Sequence, residues 1–349
     1  VRAAIFQSPG SVVTQEVPDP GVVLPTDAVV RVTASCICGS DLWPWRGINK
    51  RGEGRIGHEF LGVVEETGDE VSGIRTGDLV IAPFVWSCGE CVHCRAGWTT
   101  SCLVGGGYGS DDRDGHLVDG GQGQYVRVPR ADGTLVAAPV APDDARIPAL
   151  LTLSDVMGTG HHAAVSARVA PGGTAVVVGD GAVGLCAVLA ARRLGAERII
   201  ALSSHEDRAA IARTFGATDV VAVRGEQAVA QVLELTDGVG ADSVLECVGM
   251  TASWDTALDV VRPGGTVGYV GVPAGVEGGL PLRKLFGRNI TVAGGVAPAR
   301  TYLPELLEDV LNGTIDPGPV FTSEVALEDI AQGYDDMDQR RSIKVLVRP

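Results

Sequence analysis

Residues 174–184 read Thr174-Ala175-Val176-Val177-Val178-Gly179-Asp180-Gly181-Ala182-Val183-Gly184, and an Ala- and Leu-rich stretch runs on from there to Leu194. An apolar β-branched run, a turn with glycines at its first, third and sixth places, and then a helical pattern is the order in which a parallel strand feeds a crossover helix. Glycines so placed let backbone N–H groups approach a pyrophosphate at the helix N-terminus, where aligned peptide dipoles favour negative charge. The hexapeptide alone is a weak signal, because a chain with 48 glycines produces near matches by chance. Its position between strand and helix gives it weight.

Outward from this stretch the alternation continues, with an apolar run at 198–202, a helical stretch at 208–215, and further strand candidates at 243–248, 266–270 and 290–293. Between about Met157 and Val296 the chain therefore reads as a doubly wound parallel sheet. The first 150 or so residues differ, with short β-branched runs at 28–32, 62–65 and 79–82 broken by Gly, Pro and Asp. That pattern indicates irregular, mostly β structure. The tail holds a helix candidate at 302–311 and a last apolar strand at 343–347, and is expected to return to the first domain. The expected division is 1–155, 156–296 and 297–349, since 349 residues exceed what one hydrophobic core usually organises. The stretch 105–123 reads as a surface loop, and its Asp111, Asp112 and Asp114 lack calcium-loop spacing.

Lys and Arg number 28 against 43 Asp and Glu, a formal charge of −15. Such a surface repels phosphate backbones and anionic headgroups, which argues against nucleic acid and membrane partners. The opening residues turn polar at Gln7, so no signal-peptide core is read there, and no apolar run is long enough to span a bilayer. The expectation is a cytoplasmic protein, whose reducing surroundings favour metal ligation by clustered thiols.

Cys88, Cys91, Cys94 and Cys102 stand as C-x2-C-x2-C-x7-C within residues 88–102, beside Gly89 and Gly97. Thiolates at this spacing can turn toward one centre and close a tetrahedral structural zinc site, whereas disulfide geometry suits them poorly. A second, dispersed set comprises Cys38-Gly39-Ser40-Asp41 and Gly57-His58-Glu59.

The run Gly57-His58-Glu59-x2-Gly62-x5-Gly68-x2-Val71 resembles the zinc signature of the medium-chain alcohol dehydrogenases, and the likeness extends from Val1 to Ser342-Ile343-Lys344-Val345. The resemblance implies an α/β chain: a GroES-like irregular β catalytic domain plus a Rossmann doubly wound parallel-sheet cofactor domain. It implies two zincs per chain, one structural and one catalytic, with Cys38 and His58 as ligands of the latter. The third ligand would be Asp155, in Ser154-Asp155-Val156-Met157-Gly158-Thr159-Gly160, where many relatives carry Cys. A carboxylate is an acceptable zinc donor, and the net ligand charge is unchanged. Glu59 would stand behind the ligands or exchange with one. Asp41 would orient His58 through its second ring nitrogen, or else cap a turn. Ser40 would take the substrate proton. Several relatives continue that relay with a His where this chain has Trp43.

For the cofactor, Gly179, Gly181, Ala182, Val183 and Gly184 form the phosphate turn. The second strand should end in an acid if the ribose 2′-hydroxyl of NAD is bound. Ser203 stands there instead, followed by Ser204, His205, Glu206, Asp207 and Arg208. A small hydroxyl residue leaves room for a 2′-phosphate, with donors from Ser204, His205 and Arg208, so NADP(H) is favoured over NAD(H). Ser204-x-x-Asp207 also fits a capping box. The resemblance further places Thr159 and the backbone near Val248, Val270 and Val272 at the nicotinamide. It places Lys344 at the pyrophosphate, unless Lys344 is a solvated end-strand charge. His161 and His162 touch cofactor or substrate, or are structural. Cys36, Cys186 and Cys247 read as packed thiols.

Trp43, Trp45, Phe84 and Trp86 lie near the zinc residues in the linear pattern. If two of them face the open coordination position, the substrate is a hydrophobic alcohol, aldehyde or ketone. The rival readings are a polyol or amino-alcohol dehydrogenase of the threonine or sorbitol type, and a non-catalytic relative that keeps the fold. The resemblance also implies a homodimer or homotetramer.

Overall fold

In the computed structural model, which describes residues 1–276 and 278–349, the chain divides into two compact units, Val1–Asp155 with Pro298–Pro349, and Val156–Ala297. The second unit is built on six parallel strands. In spatial order they are Asp219–Val221, Arg198–Leu202, Thr174–Val178, Ala241–Glu246, Val261–Tyr269 and Thr291–Gly294. In sequence terms that is third, second, first, fourth, fifth, sixth, so the winding direction reverses beside Thr174–Val178. Ligands of such sheets bind outside the carboxyl ends of the strands at that reversal. Val176, Ile200, Val244 and Val267 pack with Trp254 and Leu258 of the helix Thr251–Val260, which is why these strands read as unbroken apolar runs.

Two boundaries in this unit differ from the sequence expectation for visible reasons. The strand expected at 243–248 stops at Glu246, because Glu246 Oε1 accepts the N–H groups of Val248 at 3.0 Å and Gly249 at 2.8 Å and turns the chain. The helix expected from 208 begins at Glu206 with His205 at its N-cap, and the Ser204 to Asp207 capping box does not form. Ser204 Oγ accepts from Arg224 at 2.8 Å instead.

The first unit carries a seven-stranded sheet. Its main path runs Val136–Ala137, Leu79–Ala82, Phe60–Thr67, Ala28–Cys36, Lys344–Arg348, Phe321–Ala326, and Tyr125–Val128 pairs with the amino half of Ala28–Cys36. The last strand lies antiparallel to Ala28–Cys36, with Leu346 opposite Cys36, while Phe321–Ala326 runs parallel to it. One apolar cluster holds Val30, Phe60, Val80, Trp86 and Val128, and another Phe6, Ile37, Leu42, Tyr334 and Val345. The tail helix spans Ala299–Leu311, three residues more at its start than expected.

The stretch 105–123 is not simply a surface loop. Gly106–Gly107 pairs with Val85–Trp86, and Ser110–Asp111 with Leu117–Val118. The side chain of Asp112 is 5% exposed and accepts from the buried Arg127 at 2.8 Å, while Arg127 also reaches Asp27 at 2.7 Å, and Asp119 pairs with Arg55. The acids there compensate internal guanidinium charge. Among the described residues no helix is long and apolar enough to cross a membrane.

Candidate active site and metal centres

Cys38 follows directly from the strand Ala28–Cys36 and precedes the 3₁₀ turn Gly39–Asp41. His58 precedes the strand Phe60–Thr67. Gly57, at φ +96°, makes that approach possible: a β-carbon there would lie 2.4 Å from the Gln122 side chain and 2.7 Å from its backbone nitrogen. Asp155 ends the turn Thr152–Ser154. These three segments bring Cys38, His58, Glu59 and Asp155 to one place, with a donor atom of each within 4.8 Å of the others. Asp155 Oδ2 stands 3.7 Å from Cys38 Sγ and 3.7 Å from His58 Nε2. A tetrahedral zinc with sulfur, nitrogen and oxygen donors spaces them by about 3.4–3.8 Å, so the residues fit the ion.

Burial opposes a charge on His58, but Asp41 and Cys38 outweigh it and hold the imidazole well above its ordinary range. Burial likewise pushes the Cys38 thiol up. A cation entering the cluster must displace these protons.

Behind the trio lie two buried networks. Asp41 Oδ1 is 3.4 Å from His58 Nδ1, and its Oδ2 accepts from the backbone N–H of Cys38 at 3.0 Å. The Gln122 amide donates to Asp41 Oδ2 and to the Cys36 carbonyl, both at 3.1 Å, and Tyr334 donates to Gln122 Oε1 at 2.8 Å. Asp41 therefore orients His58, and Gln122 and Tyr334 orient Asp41. In the other network Lys344 Nζ meets Glu59 Oε1 at 2.7 Å and the Ile37 carbonyl at 3.2 Å, while Cys36 Sγ donates to Glu59 Oε2 at 3.2 Å. Lys344 is thus a buried partner of Glu59 and not a solvated end-strand charge. The pairing of the last strand against Ala28–Cys36 carries its ammonium beneath Glu59, where both charges are shut from solvent.

Ser40 is half-buried on the turn Gly39–Asp41. Of the four aromatic residues, Phe84 meets His58 edge-on at 6.5 Å, and Trp43 is half-buried on the short helix Leu42–Trp45. Trp45 stacks on Tyr334 at 5.2 Å, and Trp86 is buried in the sheet core, so these two serve packing.

Cys88, Cys91, Cys94 and Cys102 converge as a second group. Their sulfurs stand 3.4 Å apart for Cys88 and Cys102, and 4.0 Å for Cys88 and Cys94 and for Cys91 and Cys102. A ZnS₄ tetrahedron spaces its sulfurs by about 3.8 Å. The backbone N–H of Leu103, with that of Cys94, lowers the Cys91 thiol to about 6, whereas burial pushes Cys94 to about 12.

In the second unit the phosphate turn lies between the strand Thr174–Val178 and the helix Ala182–Arg193, with Gly181 at the N-cap. A β-carbon on Gly184 would fall 2.0 Å from the Gly179 carbonyl, so only glycine lets helix and turn pack this closely and leaves the helix end open to a pyrophosphate. Thr159 is half-buried on the helix Val156–Ser166, while His161 and His162 are buried in it. Val248, Val270 and Val272 follow the carboxyl ends of the fourth and fifth strands, and Val248 and Val272 are about half exposed.

The residues expected around a 2′-phosphate are arranged differently from that expectation. Ser203 is buried and donates to Asp180 Oδ2 at 2.9 Å, and Arg208 Nη1 lies 3.2 Å from Asp180 Oδ1. Both donors are committed to the second residue of the phosphate turn. Sequence reasoning missed Asp180, although an acid inside a phosphate-binding turn was itself a signal. It also missed Gln122, Tyr334 and Glu246, which carry no local pattern.

Residues 24–140 match the alcohol dehydrogenase GroES-like domain, and residues 182–312 match the zinc-binding dehydrogenase domain. The chain is 34% identical to zinc-type alcohol dehydrogenase B of Aspergillus flavus, covering all of this chain and 81% of that one. It is 33% identical to the zinc-type alcohol dehydrogenase-like protein AdhB of Bacillus subtilis over the whole of both chains. Alcohol dehydrogenase TADH from Thermus sp. ATN1 superposes with a TM-score of 0.92 at 32% identity, covering 100% of this chain and 99% of that one. The GroES-like unit, the doubly wound unit and these similarities together establish that the chain belongs to the zinc-dependent medium-chain alcohol dehydrogenase family of oxidoreductases.

Proposed function

We propose that the chain transfers hydride between a nicotinamide dinucleotide and a hydrophobic alcohol or the matching aldehyde or ketone, with zinc held by Cys38, His58 and Asp155. The observation that carries this reading is the convergence of those three donors, from three separate segments, at tetrahedral spacing. Zinc bound there supplies Lewis acidity toward a substrate oxygen at its fourth position.

The chain's own residues do the rest. Asp41 holds His58 in the orientation that presents Nε2. Lys344 holds Glu59 behind the ligands. Ser40 accepts the hydroxyl proton of an alcohol at Oγ and releases its own hydroxyl hydrogen to water, because the indole of Trp43, where relatives carry a relay histidine, has no acceptor to continue the path. Phe84, edge-on to His58, supplies an apolar wall that favours hydrophobic substrates over polyols. Gly179 to Gly184 carry the pyrophosphate, and Thr159 with the backbone near Val248, Val270 and Val272 carries the nicotinamide. Cys88, Cys91, Cys94 and Cys102 hold a second zinc that fixes their loop and performs no chemistry.

The chain acts as a homo-oligomer in the cytoplasm. Thr291–Gly294 is an unpaired sheet edge, and the helix Leu282–Arg288 beside it in sequence exposes Leu282 and Phe286 by 73% and 88%. An open edge next to large exposed apolar side chains is suited to pairing with a second copy. The activity is tested by screening hydrophobic alcohols and ketones against polyols with both NAD(H) and NADP(H). Turnover of the apolar group is expected. Full zinc loading without turnover of any substrate would leave only a non-catalytic role.

A further inference from the structure

We propose that Asp180 selects the cofactor, accepting the adenosine ribose 2′-hydroxyl of NAD(H) and excluding the 2′-phosphate of NADP(H). The inference rests on the nicotinamide-dependent reading given above and reverses the cofactor preference expected from the sequence.

In doubly wound dinucleotide-binding sheets the acid that grips the 2′-hydroxyl stands at the end of the second strand. Ser203 occupies that place here, immediately after Arg198–Leu202. A serine hydroxyl has one hydrogen, and the acceptors it meets are already protein oxygens, Asp180 Oδ2 at 2.9 Å and the His205 carbonyl at 3.3 Å, so it is committed before a phosphate arrives. A carboxylate oxygen consequently lies one hydrogen bond from the position where the second strand would have presented its own. The acid stands in the first turn in place of the second strand's end, 2.9 Å from the side chain that occupies that end.

The charge balance agrees. Arg208, at the start of the helix Glu206–Phe215, directs Nη1 to Asp180 Oδ1 at 3.2 Å and to the Asp180 carbonyl at 3.4 Å. Side chains of both residues are mostly buried, so this cation is matched before any ligand arrives. A ribose hydroxyl arriving there finds a carboxylate acceptor. A dianionic phosphate finds the same carboxylate as a like charge, and it finds the Ser203 hydroxyl and Arg208 Nη1 already engaged with it. A further cation nearby is Arg224, which donates to Ser204 Oγ at 2.8 Å, and its side chain is exposed. An exposed guanidinium is screened by solvent and salt, so it does not offset a mostly buried carboxylate beside the ligand.

The test measures binding, not turnover, on the zinc-loaded full chain. Dissociation constants for NADH, NADPH, ADP-ribose and 2′-phospho-ADP-ribose are read by nicotinamide fluorescence and calorimetry for the unmodified protein, Asp180→Asn, Ser203→Ala and Arg224→Gln. The unmodified protein is expected to bind NADH about 30- to 100-fold more tightly than NADPH, with the same order for the two ADP-ribose probes. Asp180→Asn should narrow that ratio to about fivefold or less, chiefly by tightening the phosphorylated ligands. Ser203→Ala, which keeps the carboxylate, should retain the ratio; loss of the ratio in that variant would assign the selection to Ser203 and overturn the proposal. NADPH binding as tightly as NADH overturns the proposal, as does an unchanged ratio in a folded Asp180→Asn protein. NADPH preferred, and then weakened by Arg224→Gln, overturns it in favour of a phosphate clamp. If none of the four ligands binds, the dinucleotide reading itself fails, which is distinct from a wrong preference.

Discussion

Replacing Lys344 by methionine keeps the length of the side chain and deletes the charge facing Glu59 inside the first unit. The two side chains are 1% and 0% exposed, with Nζ and Oε1 2.7 Å apart, and Cys36 supplies one further donor to the other carboxylate oxygen. Removing one partner of a buried pair costs about 3–5 kcal/mol, because the remaining charge is left uncompensated. The deficit of Lys344→Met should therefore be about 3–4 kcal/mol at pH 7.

In the unmodified protein burial opposes the Lys344 charge, but Cys36 and Glu59 outweigh it and hold the ammonium well above its ordinary range. By linkage the stabilisation is complete below the unfolded lysine value and is lost only as pH climbs through the raised folded one, so it persists through neutral pH. For a unit of about 200 residues this corresponds to a fall of roughly 10 °C in Tm at neutral pH. Scanning calorimetry at pH 7, with zinc content checked by mass spectrometry, reads the effect. Adding Glu59→Gln to Lys344→Met should recover most of the loss. A deficit under about 1 kcal/mol, or no recovery in the double variant, would refute the reasoning.

Three further predictions concern the metal sites and the buried charges. Gln122→Ala removes the donor between Tyr334 and Asp41 and should weaken zinc at the Cys38 cluster about tenfold in a chelator competition, with the four-cysteine zinc unaffected. Because His58 and Cys38 both hold protons more tightly than usual, zinc affinity at that cluster should rise with pH between 6 and 8, and calorimetry in buffers of different ionisation enthalpy should register proton release. Burial opposes the charge on Asp112, but the hydrogen bond from Arg127 and the backbone N–H groups of His116 and Asp114 lower its carboxyl to about 2. Asp112→Asn should accordingly cost about 2 kcal/mol above pH 4 and progressively less as pH falls toward 2, as read in urea unfolding.

The parts of this molecule that were legible in the sequence are those whose geometry is local. Gly179 to Gly184 lie between a strand and a helix that are contiguous with them, and Cys88 to Cys102 fit within one loop, so spacing alone carries both. Cys38, His58 and Asp155 were legible only through resemblance, because nothing in linear order links segments that meet by sheet pairing. What remained hidden depends on long-range register. Lys344 reads as an end-strand charge until its strand pairs with Ala28–Cys36 and buries it against Glu59. Gln122 and Tyr334 are ordinary polar residues until a bond across 212 positions joins them. Trp45 and Trp86 look like pocket residues because the sequence cannot tell which side of an element faces the core. Asp180 was in plain view, but its partners Ser203 and Arg208 become neighbours only when the first and second strands pair.

The most direct test is a crystallographic anomalous difference map recorded on either side of the zinc absorption edge. Two peaks per chain are predicted, one among Cys88, Cys91, Cys94 and Cys102, and one about 2.0–2.3 Å from Cys38 Sγ, His58 Nε2 and Asp155 Oδ2. A zinc-saturated crystal with signal only at the four cysteines would contradict the account.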